Sequence, residues 1–201
     1  MSPDDNMWTL PWESNEALTF VLNTLGILLR DWRCLELGCG VSVASAVAHA
    51  HGASVCATDA VAEAVAGARQ RGIDARVLRW EDTAFVEQYE LVMGSDLFFA
   101  ERCAIDIAAL LQRVGCRVAL FSSPPRQPLL LFTELLRQHY ACVVCERVEL
   151  PDCEPCLVAL ATDDSESPLF ACVTELIAAH KRAPHVIICD TAPLPPPLPP
   201  V

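Results

Sequence analysis

Leu35-Glu36-Leu37-Gly38-Cys39-Gly40-Val41-Ser42 is the stretch on which the fold turns. Cys34 to Leu37 reads as a short buried strand that runs straight into a glycine turn. Ser42 to His51, rich in Ala and Val, reads as a helix small enough to pack closely on a sheet. Glycines between strand and helix let the chain fold back sharply, and they let a ligand approach the backbone with no Cβ in the way. Asp59 follows Gly40 by 19 residues, at the end of the next apolar stretch, Ser54 to Thr58. In a doubly wound sheet those two strand ends are neighbours, and a carboxylate there can accept both hydroxyls of a ribose. The same residues would also serve a plain tight turn with a helix-capping Asp.

Outward from this centre, Leu18 to Leu29 predicts a helix, as does Ala60 to Arg71, which Gly72 stops. Ala75 to Leu78, Tyr89 to Gly94 and Cys116 to Phe121 predict further strands, and Glu101 to Val114 and Pro128 to Tyr140 further helices. Five alternating β/α units with apolar strands and short connections specify a parallel sheet covered on both faces. The pattern then changes. Ala141 to Leu150 and Cys156 to Thr162 are separated only by Pro-Asp-Cys-Glu-Pro, which requires an antiparallel hairpin. The expected fold is α/β, a doubly wound, mostly parallel seven-stranded Rossmann-like sheet that ends in this hairpin. Pro168 to Lys181 predicts a late helix and Val186 to Cys189 a short strand. Residues 1–190 are expected to form one domain. Residues 191–201 form a proline-rich tail, either disordered or a ligand for a proline-binding module.

The chain has 201 residues, 53% of them hydrophobic and 20% charged, which excludes general disorder. Its formal net charge is −12, with Lys181 the single lysine. A surface that holds nucleic-acid phosphates needs a basic stripe, and none is visible, so nucleic acid is disfavoured and basic partners are favoured. The eleven cysteines sit mostly inside apolar runs, which fits free thiols in a reducing compartment better than a secreted disulfide framework. Met-Ser-Pro-Asp-Asp at the start is acidic where a targeting peptide would be basic, and no run reaches the roughly 18 apolar residues of a membrane span. The expectation is a soluble cytoplasmic protein, with the nucleus not distinguished and no membrane partner.

Two residues select the nucleoside ligand. A dinucleotide site wants a small residue where this chain has Val43, and Glu36 is ill placed beside a pyrophosphate. A carboxylate there suits a positively charged ligand, and S-adenosylmethionine carries a sulfonium and an ammonium. Leu35 to Gly40 resembles the first motif of the seven-β-strand S-adenosylmethionine-dependent methyltransferases, and the hairpin after five alternating units is similar to that fold. More narrowly, the chain resembles the protein-lysine methyltransferases of methyltransferase family 16. Four features carry this resemblance: Leu10-Pro11-Trp12-Glu13; the glycine motif; Leu78-Arg79-Trp80; and Leu91 to Phe99, where Asp96 and Phe99 match an Asp/Glu-x-x-Tyr/Phe motif.

The resemblance implies that Glu36, Gly38 and Gly40 line the methionine end of the cofactor and that Asp59 holds its ribose. It places Trp80 by the adenine, Trp12 over the site and Ser95 at the cofactor, with Asp96 and Phe99 as catalytic residues facing the methyl group and an incoming amine. Methyl transfer is an in-line displacement that needs positioning and a deprotonated nucleophile. An acidic and aromatic lip can orient a lysine cation, and partial desolvation lowers its pKa. The chain departs from the pattern at Ser42, where a third glycine is common, in the helix after Asp59, which lacks an asparagine, and at Phe99, where Tyr is commoner.

Other signals are set aside. Cys142-x-x-Cys145 and Cys153-x-x-Cys156 have zinc-ligand spacing, but Val143-Val144 is strand chemistry, and strand residues three apart point to opposite faces. No metal is therefore expected. Ser122-Ser123-Pro124-Pro125 is similar to a base-methylation motif but follows the wrong strand. The expected activity is methyl transfer from S-adenosylmethionine to a lysine on a protein partner. The alternatives are a small-molecule methyltransferase, a non-catalytic methyltransferase-like binding protein, and an oxidoreductase, against which Val43 argues.

Overall fold

A computed structural model describes residues 8–10, 12–150 and 153–182. The expected strand Val186 to Cys189, the proline-rich tail and Pro11 lie outside the described residues. Among the described residues the seven strands are β1 (Arg33–Leu37), β2 (Ser54–Asp59), β3 (Asp74–Val77), β4 (Leu91–Ser95), β5 (Val118–Ser123), β6 (Cys142–Val148) and β7 (Cys156–Thr162). The six α-helices are α1 (Glu13–Leu25), α2 (Val43–Ala50), α3 (Ala62–Gln70), α4 (Glu101–Arg113), α5 (Gln127–Arg137) and α6 (Pro168–Arg182).

All strands join one sheet in the order β3-β2-β1-β4-β5-β7-β6. β1 through β5 pair in parallel, whereas β7 lies antiparallel to both β5 and β6. The expected hairpin is thus present, with its second strand inserted between the first and the parallel sheet. The chain order reverses between β1 and β4, and ligands bind outside the carboxyl ends of strands at such a switch point.

Strand alternation divides the core in two. Cys34, Val55, Ala57, Met93, Leu120 and Leu160 face one side, where α1, α2, α3 and α6 cover them. Leu35, Leu37, Val92, Ala119 and Phe121 face the other, under α4 and α5. One expected unit differs. No helix joins β3 to β4; an irregular crossing over residues 78–90 covers the second face with Leu78, Phe85 and Tyr89. The segment is short, and its apolar residues are too sparse for a helical stripe.

Phe98, Phe121 and Phe132 form a buried aromatic cluster with ring centroids 4.6–5.8 Å apart. Phe98 belongs to the loop after β4, so the cluster anchors that loop to β5 and α5. Among the described residues ten cysteines are free, and Cys34, Cys39, Cys56, Cys116 and Cys156 are buried. Also among them, no helix is long and apolar enough to cross a membrane, and no cluster of His, Cys, Asp and Glu could hold a metal.

Candidate active site

The glycine turn is shaped by backbone conformation. Gly38 and Gly40 have φ of +58° and +47°, a region that costs any residue with a Cβ roughly 1–2 kcal/mol. The Cys39 N–H donates to the Thr58 carbonyl at 2.8 Å, which ties the turn to the end of β2. Asp59 completes the tie, its Oδ2 accepting from the Gly40 N–H at 3.0 Å and its Oδ1 from the Val61 N–H at 2.9 Å. The side chain that was expected to read the ligand therefore also holds the loop in shape. Each of its oxygens retains a lone pair for a further donor.

The two glycines differ in what their missing side chains leave room for. A Cβ on Gly38 would fall 2.5 Å from Leu97 Cδ2, so the space over this glycine is filled by Leu97. A Cβ on Gly40 would lie 3.0 Å from the Trp8 carbonyl oxygen, because the N-terminal segment crosses directly above the turn. The sequence reading reserved this clearance for a ligand; the chain itself takes much of it.

A cavity of about 680 Å³ opens at these strand ends. Of the nine residues singled out in the sequence, it brings eight together on its wall: Trp12, Gly38, Gly40, Asp59, Trp80, Ser95, Asp96 and Phe99. Trp8, Leu10 and Asn15 join them, and sequence reasoning missed all three. Asn15 is buried, and its Oδ1 has no hydrogen-bond partner; the polar run Glu13-Ser14-Asn15-Glu16 carried no signal of which member turns inward. Behind the wall, Arg113 of α4 donates from Nη2 to the carbonyls of Trp80 at 2.6 Å and Asp82 at 3.3 Å, which fastens the crossing to the second face.

Glu36 is the ninth residue, and it does not line the cavity. It is buried on the first face of β1, where Oε2 accepts from the Ser45 N–H at 3.0 Å and from the Ser45 hydroxyl. Burial pushes its pKa up to about 7 against the opposing pull of Ser45, and the nearby Asp59 charge adds to the rise. Glu36 thus fills the anion-binding position at the start of α2 with an internal carboxylate, where a dinucleotide fold would seat its pyrophosphate. Ser42 is likewise fully buried and off the cavity wall, with φ of +57°. It neither crowds nor contacts the cavity, and its positive φ explains why glycine suits this place.

Asp96 also has a positive φ, +52°, which Asp tolerates better than most residues. Its N–H donates to the Ser122 carbonyl at 2.9 Å, and its carboxylate is nearly buried between β4 and β5. Burial raises its pKa, and the Arg126 guanidinium opposes that rise. Phe99, three residues on, projects into solvent at the rim with Leu10, both more than half exposed.

No protein-family model and no curated protein matches this sequence. Solved structures match its fold. Magnesium protoporphyrin IX methyltransferase from Synechocystis, with bound S-adenosylhomocysteine, superposes with a TM-score of 0.61 at 14% identity, covering 75% of this chain and 84% of that one. A chain of the E. cuniculi Mtq2-Trm112 complex, which is responsible for methylation of the eRF1 translation termination factor, gives 0.62 at 15% identity over 78% and 99%. A TehB-like methyltransferase from Corynebacterium glutamicum gives 0.57 at 16% over 72% and 88%. The fold is that of the Rossmann-like S-adenosylmethionine-dependent methyltransferases.

Proposed function

We propose that the chain is an S-adenosylmethionine-dependent methyltransferase whose acceptor is a lysine on a protein partner. The observation that carries this reading is the convergence of the ends of β1, β2, β3 and β4 and the N-terminal segment on one cavity, with its polar groups placed for a cationic nucleoside. Asp59 stands at the end of β2 with lone pairs to spare, and Asn15 presents a buried, unpartnered Oδ1. The charged wall residues are Asp59, Glu81 and Asp96 against Arg79, a balance that favours a cation over a polyphosphate. The residues present fit the cofactor. Asp59 would hold its ribose hydroxyls, Gly38 and Gly40 its methionine end, and Trp80, Trp12 and Ser95 would flank it.

When bound, the cofactor supplies an electrophilic methyl group on a sulfonium centre. The chain positions and desolvates. Asp96 accepts an N–H from the acceptor amine, and its raised pKa suits it to take a proton at a carboxylate oxygen. Phe99 and Trp12 stand exposed on the cavity wall, where a docked partner would cover them and shut water out of the reacting face. The chain's own charge of −12 supports a basic partner surface.

Calorimetric titration with S-adenosylmethionine and S-adenosylhomocysteine tests the cofactor, with NAD and Asp59→Ala as controls. Micromolar binding that Asp59→Ala abolishes is the expected result. Radiolabelled methyl transfer to lysine-rich proteins, read before and after chemical blocking of their amines, then tests the acceptor. Absence of binding to either adenosyl ligand would refute the enzyme reading.

A further inference from the structure

A second cavity, of about 380 Å³, adjoins the first and shares Leu10, Trp12 and Asp96 with it. Its remaining walls come from the start of α1 (Glu13, Ser14), the β5–α5 connection (Pro124, Arg126) and the start of β7 with the turn before it (Glu154, Cys156). Among its described lining residues, three carboxylates face a single guanidinium. Two of its lining residues carry a buried side-chain oxygen with no hydrogen-bond partner: the hydroxyl of fully buried Ser14, and Oδ1 of Asp96, whose side chain is only 7% exposed.

Arg126 Nη1 lies 3.0 Å from that same Oδ1, an ion pair whose alignment falls short of a directed hydrogen bond. The guanidinium side chain is 39% exposed, so it can leave for water, whereas the Asp96 carboxylate cannot. Backbone chemistry fixes where the arginine starts. Pro124 and Pro125 set an extended approach, and Arg126 is the extended residue immediately before α5, with φ −121° and ψ 149°. A buried carboxylate that stays ionised needs a cation beside it. Here the chain supplies a poorly aligned and removable one.

We propose that Arg126 is the specificity-determining residue of an amine-acceptor pocket: its guanidinium occupies, in the free protein, the seat beside Asp96 that an incoming primary ammonium takes by displacing it into solvent. The second cavity is the path of that amine, and Glu13 and Glu154 at its walls favour a cationic guest over a neutral or anionic one. Displacement keeps Asp96 paired throughout, so the pocket never holds an isolated buried charge. Neutral and acidic groups cannot make this exchange and leave Arg126 in place. The chemical meaning of the pocket rests on the methyl-transfer reading of the larger cavity.

The test is an NMR titration of the full chain with n-butylammonium, which matches the end of a lysine side chain, and with n-butyrate. Arg126→Ala is expected to bind n-butylammonium at least tenfold more tightly than the wild type. Shifts should centre on Ser14, Asp96 and Glu154, and the double variant Arg126→Ala/Asp96→Asn should lose the gain. Arg126→Lys, which keeps a cation at the seat, should stay within threefold of the wild type and guards against an effect of misfolding. Equal affinities in wild type and Arg126→Ala, or no binding to either, would overturn the proposal. So would butyrate binding to the wild type that Arg126→Ala abolishes, since Arg126 would then be an anchor for carboxylates. A parallel titration with S-adenosylhomocysteine separates the two readings. Its failure in the wild type counts against the methyltransferase, while the ammonium result still decides the role of Arg126.

Discussion

Replacing Glu36 by Gln should make the protein less sensitive to alkaline pH, and the size of the effect follows from where the carboxyl sits. Glu36 is fully buried beneath α2, and its pKa rises from an ordinary 4.5 to about 7. Below about pH 4.5 the group is protonated in both the folded and the unfolded chain. Between 4.5 and about 7 only the folded chain keeps the proton, so stability falls as pH rises. A rise of about 2.5 on the pH scale corresponds to about 3 kcal/mol lost by pH 8, at 1.36 kcal/mol for each tenfold step. Gln cannot ionise and can still accept from Ser45. Urea denaturation of both proteins at several pH values from 4.5 to 8 measures the difference curve. The stability of Glu36→Gln relative to wild type should increase by about 3 kcal/mol across that window. Parallel curves would refute the reasoning and place an ionised, well-solvated Glu36 in the native state.

Three further outcomes are expected. Ser42→Gly should raise stability by about 1 kcal/mol in thermal melts, because Ser42 stands at φ +57° with no helix-capping bond from its side chain to lose; a lower melting temperature would count against strain there. Arg113→Met releases the carbonyls of Trp80 and Asp82 and should weaken S-adenosylhomocysteine binding about tenfold, although Arg113 does not line the cavity; calorimetry with an unchanged Kd would dismiss it as a positioning residue. Phe98→Ala, which empties the centre of the aromatic cluster, should cost about 3–5 kcal/mol in chemical denaturation and loosen the loop that carries Asp96; a loss below about 1 kcal/mol would show that the cluster collapses without penalty.

The sheet was legible in the sequence because its strands are short apolar runs separated by helices or turn residues. The period of the pattern switches visibly from β to α at Gly38–Ser42 and again after Asp59. Cys156 to Thr162 was legible as a strand and as half of a hairpin, but its insertion beside β5 was not. Local pairing fixes the partner across the turn, while the second partner depends on which edge the finished sheet leaves open. The cavity wall was readable where one residue type at one strand end has few other uses, as at Asp59. It was unreadable where distant segments meet, as at Trp8 over Gly40 and Arg126 beside Asp96. Glu36 shows the limit of reading charge from a motif. Its type and place were evident, but strand alternation turned it towards α2, away from the cavity.

The placement of β7 also bears on how the chain is made. β5 is finished by Ser123, and its open edge must wait for residues 156–162 before it is paired. During synthesis, a nascent chain that has passed α5 therefore carries a parallel strand, apolar from Val118 to Phe121, with an uncovered edge. β6 cannot shield that edge, because its own place lies one strand further out. Roughly forty residues of translation, several seconds on the ribosome, separate the hazard from its cure. Chains cut off before Thr162 should be the ones that chaperones retain or that aggregate, because β7 is made only after every other described strand of the sheet.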